Sequence, residues 1–561
     1  MLNIKQNYKN LKRTREILKV VTKYGLGYFL DFSKAENGLN LKKKIFPKKT
    51  TRLEKIRRLT LPQRTRLACE ELGPTFVKLG QILSIRPDLI PREFAEEFSK
   101  LQDEVPPFSF DEVEEQFKKE LGKPINELFI EFDKRPVAAA SLSQVHKAKL
   151  MNGETVAVKI QRPNIGKVVE TDISILSGLV RFIEKRFISG HLFQPVEIIE
   201  EFSKTIKKEL DFVNEGHNIE KFRINFKESE TVHIPKVYWK LTTKRILTME
   251  FIEGVKISKI INSKDSKFNK KIISSRGADM ILKQILVDGF FHGDPHPGNI
   301  FIMKNNIIAP IDFGMVGRIE KSTMINMADF LIATISNDAD KVVRILENMD
   351  IIDSEMDLKK IKIEISYFID KYYNVPLKEL EIGKVIEEIV EVMIRHQIKI
   401  PNDLVLLTKA LVTIEGVGRE LDPDFNMATR AKPFANKLIR QKYSLNNLLK
   451  VSSKFAEEFF NSLKIFPNEF SYLVKNLRKG KFSINLQHKG LEKLILEIDR
   501  ASNRLSFSMI ISSLIIGSSF IILSNKGPFI FNYPVFGIFG YLIAAVLGLW
   551  LVISIIRRGG L

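Results

Sequence analysis

Three short segments carry residue types whose order suits one chemistry. Val156-Ala157-Val158-Lys159 is an apolar β-type run ending in a lysine. His292-Gly293-Asp294-Pro295-His296-Pro297-Gly298-Asn299 sets an aspartate five residues before an asparagine. Asp312-Phe313-Gly314 follows two more short β-type runs. Phosphoryl transfer from ATP asks little of a protein. It needs a cation on the α- and β-phosphates, an acid to hold that cation, carboxylate and amide oxygens for Mg2+, and a backbone loop over the phosphates. Lys159 supplies the cation, Asp294 the candidate catalytic carboxylate, and Asn299 and Asp312 the candidate Mg2+ ligands. Taken singly these signals are weak. A strand-borne lysine at an apolar boundary is usually a solvated edge residue, and a D-F-G triplet arises by chance. Three motifs in this order, each in suitable local structure, are specific.

The surrounding pattern predicts the elements that would position them. Residues 61–135 read as helical, broken at Pro106-Pro107. Val137–Leu150 and Thr155–Ile160 read as the two strands of a hairpin turning at Asn152-Gly153. Helix returns over 165–230, and short β-type runs fill Val232–Glu250. Ser274–Gly289 is a helix, followed by the Gly/Pro-rich loop and a β pair, Ile300–Met303 and Ile307–Ile311, around Asn305-Asn306. Residues 322–500 are almost wholly helical. After Gly314 the chain passes through Met315-Val316-Gly317-Arg318 directly into helix, with no A-P-E motif and no long activation segment.

Composition narrows the setting. The chain has 561 residues, enough for two or three domains, and a net charge of +21. Its one cysteine, Cys69, allows no internal disulfide and fits a reducing compartment. Residues 1–60 carry 17 Lys/Arg against 4 Asp/Glu, a local +13. A basic leader suits nucleic acid or an anionic membrane. No nucleic-acid module is present, and the C-terminus argues for membrane. Leu505–Leu523 and Val535–Ile556 contain no charged residue, and each approaches the ~20 residues that cross a bilayer core. Asn525-Lys526-Gly527-Pro528 turns between them. Arg504 before the first run and Arg557-Arg558 after the second put both ends on the cytoplasmic side. The predicted result is a helical hairpin in the cell (inner) membrane, multi-pass, with the rest of the chain cytoplasmic. Residues 10–33 are amphipathic and could lie on a membrane surface or pack on the main domain.

With these residues in view, the chain resembles the UbiB family, also called ABC1 or ADCK-type atypical kinases. Lys78-Leu79-Gly80-Gln81, within Phe76–Pro91, matches the family's KxGQ motif. Ala138-Ala139-Ala140-Ser141 matches its alanine-rich nucleotide loop, and Glu209-Leu210-Asp211 its ExD motif. HGDPHPGN is its catalytic loop, with Gly293 where other kinases carry arginine. The resemblance implies an α+β, atypical protein-kinase-like fold. Its parts are a basic leader (1–60), a helical KxGQ extension (61–135), an N-lobe with inserted helices (136–253), a helical C-lobe (254–500) and two transmembrane helices (505–556). It implies that the KxGQ helix lies across the active-site cleft, with Lys78 able to reach Asp312 and with Glu209 and Asp211 facing the Lys78 segment. It also implies that Glu215 pairs with Lys159, and that Met249, Glu250 and Ile252 form the adenine hinge. Lys78 and Gln81 are three apart and share a helix face, and Gly80 between them suggests a close backbone contact. Alanines restrict φ and add methyls where other kinases use glycine, so nucleotide geometry should differ.

The expected ligands are ATP or ADP with Mg2+, bound through residues 138–141, Lys159, Glu215 and the hinge. The expected role is phosphoryl transfer or ATP hydrolysis supporting isoprenoid-quinone biosynthesis. Membrane lipids, a prenylated quinone precursor, quinone-biosynthesis proteins and a second copy of the chain are the partners to consider. A protein kinase is disfavoured by the missing activation segment. A pseudokinase scaffold is disfavoured because every phosphate and metal ligand is present. A flavin hydroxylase is disfavoured because no G-x-G-x-x-G follows a strand.

Overall fold

Alternation of side chains along one central strand organises the first lobe. The computed structural model describes residues 2–26, 59–86, 89–101, 105–187, 195–263, 267–335, 338–349, 358–373, 379, 381–395, 402–442, 491–524, 526–530 and 533–557. Its main sheet is antiparallel, in the order β1 (Phe129–Phe132), β3 (Ser143–Leu150), β4 (Thr155–Gln161), β5 (Ile246–Glu250), with β2 (Ala138–Ala139) also paired to β3. On β4, Val156, Val158 and Ile160 point one way, into a cluster with Phe129, Val113 and Phe117. Ala157 points the other way, into the largest core. The period of two therefore puts Lys159 on the same face as Ala157.

The β3–β4 hairpin turns at Asn152-Gly153 as predicted, with Gly153 at φ +87°. Two expectations are corrected. Val137–Leu150 is not one strand: it folds back at Ala140, whose N–H donates to the Ser143 carbonyl at 2.7 Å, so Ala138 lies opposite Val145. The helical reading of 61–135 ends early, because Phe129–Phe132 pairs with β3 as a sheet edge. A bulge between Phe129 and Glu131 turns both phenylalanines, three residues apart, onto the same core cluster.

Helices brace this sheet. α1 (Leu2–Lys23) buries Ile17 against Cys69, Leu72 and Phe76. Arg13 donates to the buried Asp172 carboxylate at 2.8 and 3.1 Å and to the Leu72 carbonyl at 2.7 Å. Of the two predicted settings for the leader helix, the structure has it packed on the main domain. Residues 27–58 lie outside the described residues. α2 (Leu61–Leu72) and α3 (Pro74–Ser84) meet at Gly73, φ +96°. α4 (Arg92–Phe98) and α5 (Phe110–Leu121) lead into β1. α6 (Ile165–Phe187), α7 (Pro195–Glu209) and α8 (Phe212–Asn225) are the inserted helices between β4 and β5.

The second lobe is mostly helical. α9 (Lys270–Lys283) continues into a π-turn, Gln284–Asp288, and then β7 (Phe290–His292). β6 (Val255–Lys256), β8 (Ile300–Ile302) and β9 (Ile308–Pro310) form a small sheet, with the predicted turn at Asn305 and Asn306, both at positive φ. β10 (Val316–Arg318) returns antiparallel to β7. α10 (Lys321–Ile335), α11 (Ala339–Asn348), α12 (Leu358–Tyr373), α13 (Ile382–Arg395), α14 (Asn402–Leu421) and α15 (Met427–Lys442) follow. Two compact units emerge, 1–450 and 451–561. The second contains α16 (Leu491–Ser524) and α17 (Val535–Arg557), joined by a two-residue-per-strand ladder, Phe529–Ile530 with Tyr533–Pro534.

Candidate active site

The cleft residues come from elements of both lobes. β4 presents Lys159 toward α8, where the buried Glu215 accepts from its ammonium with both oxygens at 2.9 Å. Asp312 Oδ1 lies 3.5 Å from the same nitrogen. Burial disfavours charge on Lys159, but Asp312 and Glu215 outweigh it and raise its pKa above the ordinary lysine value. Burial raises the Glu215 pKa, opposed by Lys159. Asp312, half exposed at 50%, opens to the cleft. Lys159 foremost, and Lys78 after it, pull its carboxyl down to about 2. Asp312 also holds φ +60°, a strained conformation that aspartate tolerates better than most residues. Phe313 after it is fully buried, in tilted ring contacts with Phe222 and His292, and its carbonyl accepts from Asn218 Nδ2 at 3.0 Å.

The KxGQ helix reaches this cleft through Lys78 and the acid that ends α7. Lys78 pairs with Glu209, at the end of α7, and not directly with Asp312. It still stands close enough to lower the Asp312 pKa, and Glu209 borders Gly314. Asp211 does not face the Lys78 segment. Its carboxylate caps α8, accepting from the Val213 N–H at 3.1 Å, because α7 ends at Glu209 and the next helix needs an N-cap there. Gln81 likewise points away from the cleft, donating to the Leu101 carbonyl at 3.2 Å. Gly80 lies against that same turn: a Cβ there would meet Leu101 Cδ1 at 2.3 Å.

In the catalytic loop, the Asp294 N–H donates to His292 Nδ1 at 3.1 Å, and His292 Nε2 lies 3.3 Å from the Ile311 carbonyl. Burial lowers the His292 pKa, and with the Asp294 N–H aimed at Nδ1 that nitrogen accepts while Nε2–H donates to the Ile311 carbonyl. Asn299 Nδ2 donates to the Asp294 carbonyl at 3.4 Å, and the Asn299 carbonyl accepts from the Ile311 N–H at 2.8 Å. The β8–β9 hairpin thus brings Asn299 beside the Asp312 segment. Lys409 of α14 lies with Nζ 2.8 Å from Asp294 Oδ1. Nothing in its helical sequence context distinguishes it, and sequence reasoning missed it.

On the other side of the cleft, Ala138 and Ala139 form the tight β2–β3 fold, with Ala140 at its turn and Ser141 buried. Met249 and Ile252 are buried at the end of β5. Glu250 between them is held by His233, Nε2 to Oε1 2.9 Å, and by the Lys236 N–H at 3.2 Å. The hydrogen bond to Glu250 raises the His233 pKa. His233 was also not legible as a site residue, lying in a loop far from the motifs.

Residues 100–346 match the ABC1 atypical kinase-like domain, 365–426 the UbiB helical domain and 489–557 the ABC1/UbiB kinase-like C-terminal domain. A probable protein kinase UbiB from Marinobacter nauticus is 34% identical over 78% of this chain and 81% of its own. The chain belongs to the UbiB/ABC1 family of atypical kinase-like proteins. An uncharacterized protein from the hydrogenase 1 5' region of Clostridium pasteurianum is 37% identical over 98% of this chain and 99% of its own. Protein ACTIVITY OF BC1 COMPLEX KINASE 7, chloroplastic, of Arabidopsis thaliana is 33% identical over 89% of this chain and 70% of its own. A solved structure of Rv3197 from Mycobacterium tuberculosis with erythromycin covers 64% of this chain and 90% of its own at 23% identity and a TM-score of 0.46.

Proposed function

We propose that this chain is an ATP-dependent atypical kinase or ATPase of the UbiB type, acting at a membrane in support of isoprenoid-quinone biosynthesis. The observation that carries the reading is the contact of Lys159 with both Glu215 and Asp312. A lysine fixed by a buried acid, beside a second carboxylate open to the cleft, is what a triphosphate and its metal require. The donor set fits Mg2+, which prefers hard oxygens and keeps few protein ligands. Asp312 would hold the metal through an ionised carboxylate and Asn299 through its amide oxygen. Among the described residues no cluster of three His, Cys, Asp or Glu offers a rival site. When bound, Mg2+ would neutralise charge on the transferring phosphoryl group. Lys159 would bind the α- and β-phosphates, Ala138–Ala140 would line the phosphate loop, Met249–Ile252 would take the adenine, and Asp294 would orient the acceptor.

The acceptor is small or lipidic on this reading. Only a short strand separates Asp312-Phe313-Gly314 from α10, which leaves little chain for docking a polypeptide. The Lys78 segment meets Glu209 at the cleft, where a protein substrate would otherwise enter. α16 and α17 are long and apolar enough to cross a membrane, over Ala501–Ser524 and Val535–Ile553; Arg504, within the first turns of the first span and just before its charge-free run, and Arg557, after the second span, favour cytoplasmic ends. A prenylated quinone precursor or the proteins that process it would meet the enzyme there. Asp312→Asn removes the metal-holding charge without changing shape. It should abolish Mg2+-dependent ATP binding, read by nucleotide titration with and without Mg2+, while thermal unfolding stays cooperative. Parental Mg-ATP affinity in Asp312→Asn would sink the assignment.

A further inference from the structure

α14 lies within the segment that matches the UbiB helical domain, beyond the kinase-like match, yet it contacts the catalytic segment along one face. Asp403 Oδ1 accepts from the Arg318 N–H at 3.3 Å. Leu406 packs at Gly293, where a Cβ would meet its Cδ2 at 3.4 Å and the Met315 carbonyl oxygen at 3.3 Å. Lys409 Nζ sits 2.8 Å from Asp294 Oδ1. Positions 403, 406 and 409 recur at helical spacing, so a single face makes all three contacts.

We infer that Lys409 is the positioning residue for Asp294, supplied to the catalytic loop by the helical domain. The inference rests on reading the cleft as a phosphoryl-transfer site. The backbone of Asp294 is held within its own loop, through the His292 ring, the His296 N–H at 2.8 Å and Asn299. None of these contacts turns the carboxylate. Lys409 does, and it comes from a different part of the chain. Gly293 explains how the helix can approach so closely. A Cβ at 293 would already press on the Met315 carbonyl and touch Leu406, so α14 occupies the room that a longer residue there would need. The two side chains are 27% and 32% exposed. The pair is therefore shielded more than a surface ion pair, yet open to an acceptor entering the cleft. A shift of α14 would be felt directly at the Asp294 carboxylate.

The test uses the full-length chain in detergent, with Lys409→Ala, Lys409→Arg and, as a control, Lys432→Ala on the exposed side of α15. Amide hydrogen exchange over residues 292–299 is measured without nucleotide, then Mg-ATP binding and ATP turnover. Lys409→Ala should speed exchange in that loop several-fold and lower kcat on the order of tenfold to a hundredfold. Mg-ATP affinity should stay near the parent's, because Lys159 and Asp312 are untouched. Lys409→Arg should restore most of both. Parental exchange over 292–299 in Lys409→Ala overturns the inference, and so does a parental kcat. If the parent binds no Mg-ATP, the phosphoryl-transfer reading fails separately, and loop exchange alone decides whether Lys409 orders Asp294.

Discussion

Lys159 and Lys78 approach Asp312 from different elements, and their partners divide their roles. Lys159 is clamped by Glu215 and cannot leave without stranding a buried carboxylate. Lys78 has a separate partner in Glu209, and its effect on Asp312 is through space. Removing a positive charge beside a metal-binding carboxylate strengthens cation binding. Lys78→Ala should therefore lower the Mg2+ concentration that half-saturates ATP binding several-fold, and Lys78→Arg should not. An unchanged Mg2+ titration in Lys78→Ala would mean that the Lys78 charge is screened from the site. At this scale the Lys159, Asp294, Asn299 and Asp312 positions were legible because linear motifs carry them. Glu209 beside Lys78 was implied by the family resemblance, but the partners of Gln81 and Asp211 were not legible. Each depends on where α7 ends and which way α3 is turned, and a one-residue difference in a helix end exchanges a cleft-facing acid for a helix cap.

Among the elements, the short strands were hardest to foresee. β7 and β10 are three residues each, and neither shows a period long enough to distinguish it from loop. They matter because β7 leads into Asp294 and β10 follows Asp312-Phe313-Gly314. Their crossing is filled by an aromatic ring. A Cβ on Gly317 would lie 2.2, 2.5 and 2.8 Å from three ring atoms of the fully buried Phe291. A ring locked in the core cannot swing aside as a flexible chain end would. Gly317→Ala should cost about 1–3 kcal/mol and weaken Mg-ATP binding with it. The control is Gly166→Ala in α6, where nothing lies within 4 Å. That change should be neutral or stabilising by up to about 1 kcal/mol. Thermal unfolding of the two variants side by side gives the answer, and equal melting points would remove Phe291 as the constraint. The β3–β4 hairpin, by contrast, was plain from Asn152-Gly153 and its alternating strands, since turn chemistry and period agreed.

For the molecule as a whole, charge and apolarity are segregated along the chain: a basic leader at one end and two apolar helices at the other. The second apolar helix begins at Val535, where its charge-free run begins. The first does not begin with its run. α16 starts at Leu491 and has 34 residues, roughly 50 Å at 1.5 Å per residue, against a bilayer core of about 30 Å. Asp499, Arg500 and Arg504 hid that start, because charges end an apolar run without ending a helix. A cut before Leu505 would leave this amphipathic stretch behind, so the informative truncation ends the chain at residue 490. The parent should need detergent for extraction, and the truncated chain should remain in the soluble fraction after cell lysis. It should still adhere to anionic vesicles at low salt and not to neutral ones. Residues 1–60 carry the net +13, and on α1 Lys12, Arg15 and Lys19 are exposed while Ile17 is buried in the domain. That adherence should vanish near 0.5 M salt, where screening confines charge effects to about 4 Å. Sedimentation with vesicles at low and high salt separates the two contributions. A truncated chain that stays with membranes at high salt would show that the apolar pair is not the anchor.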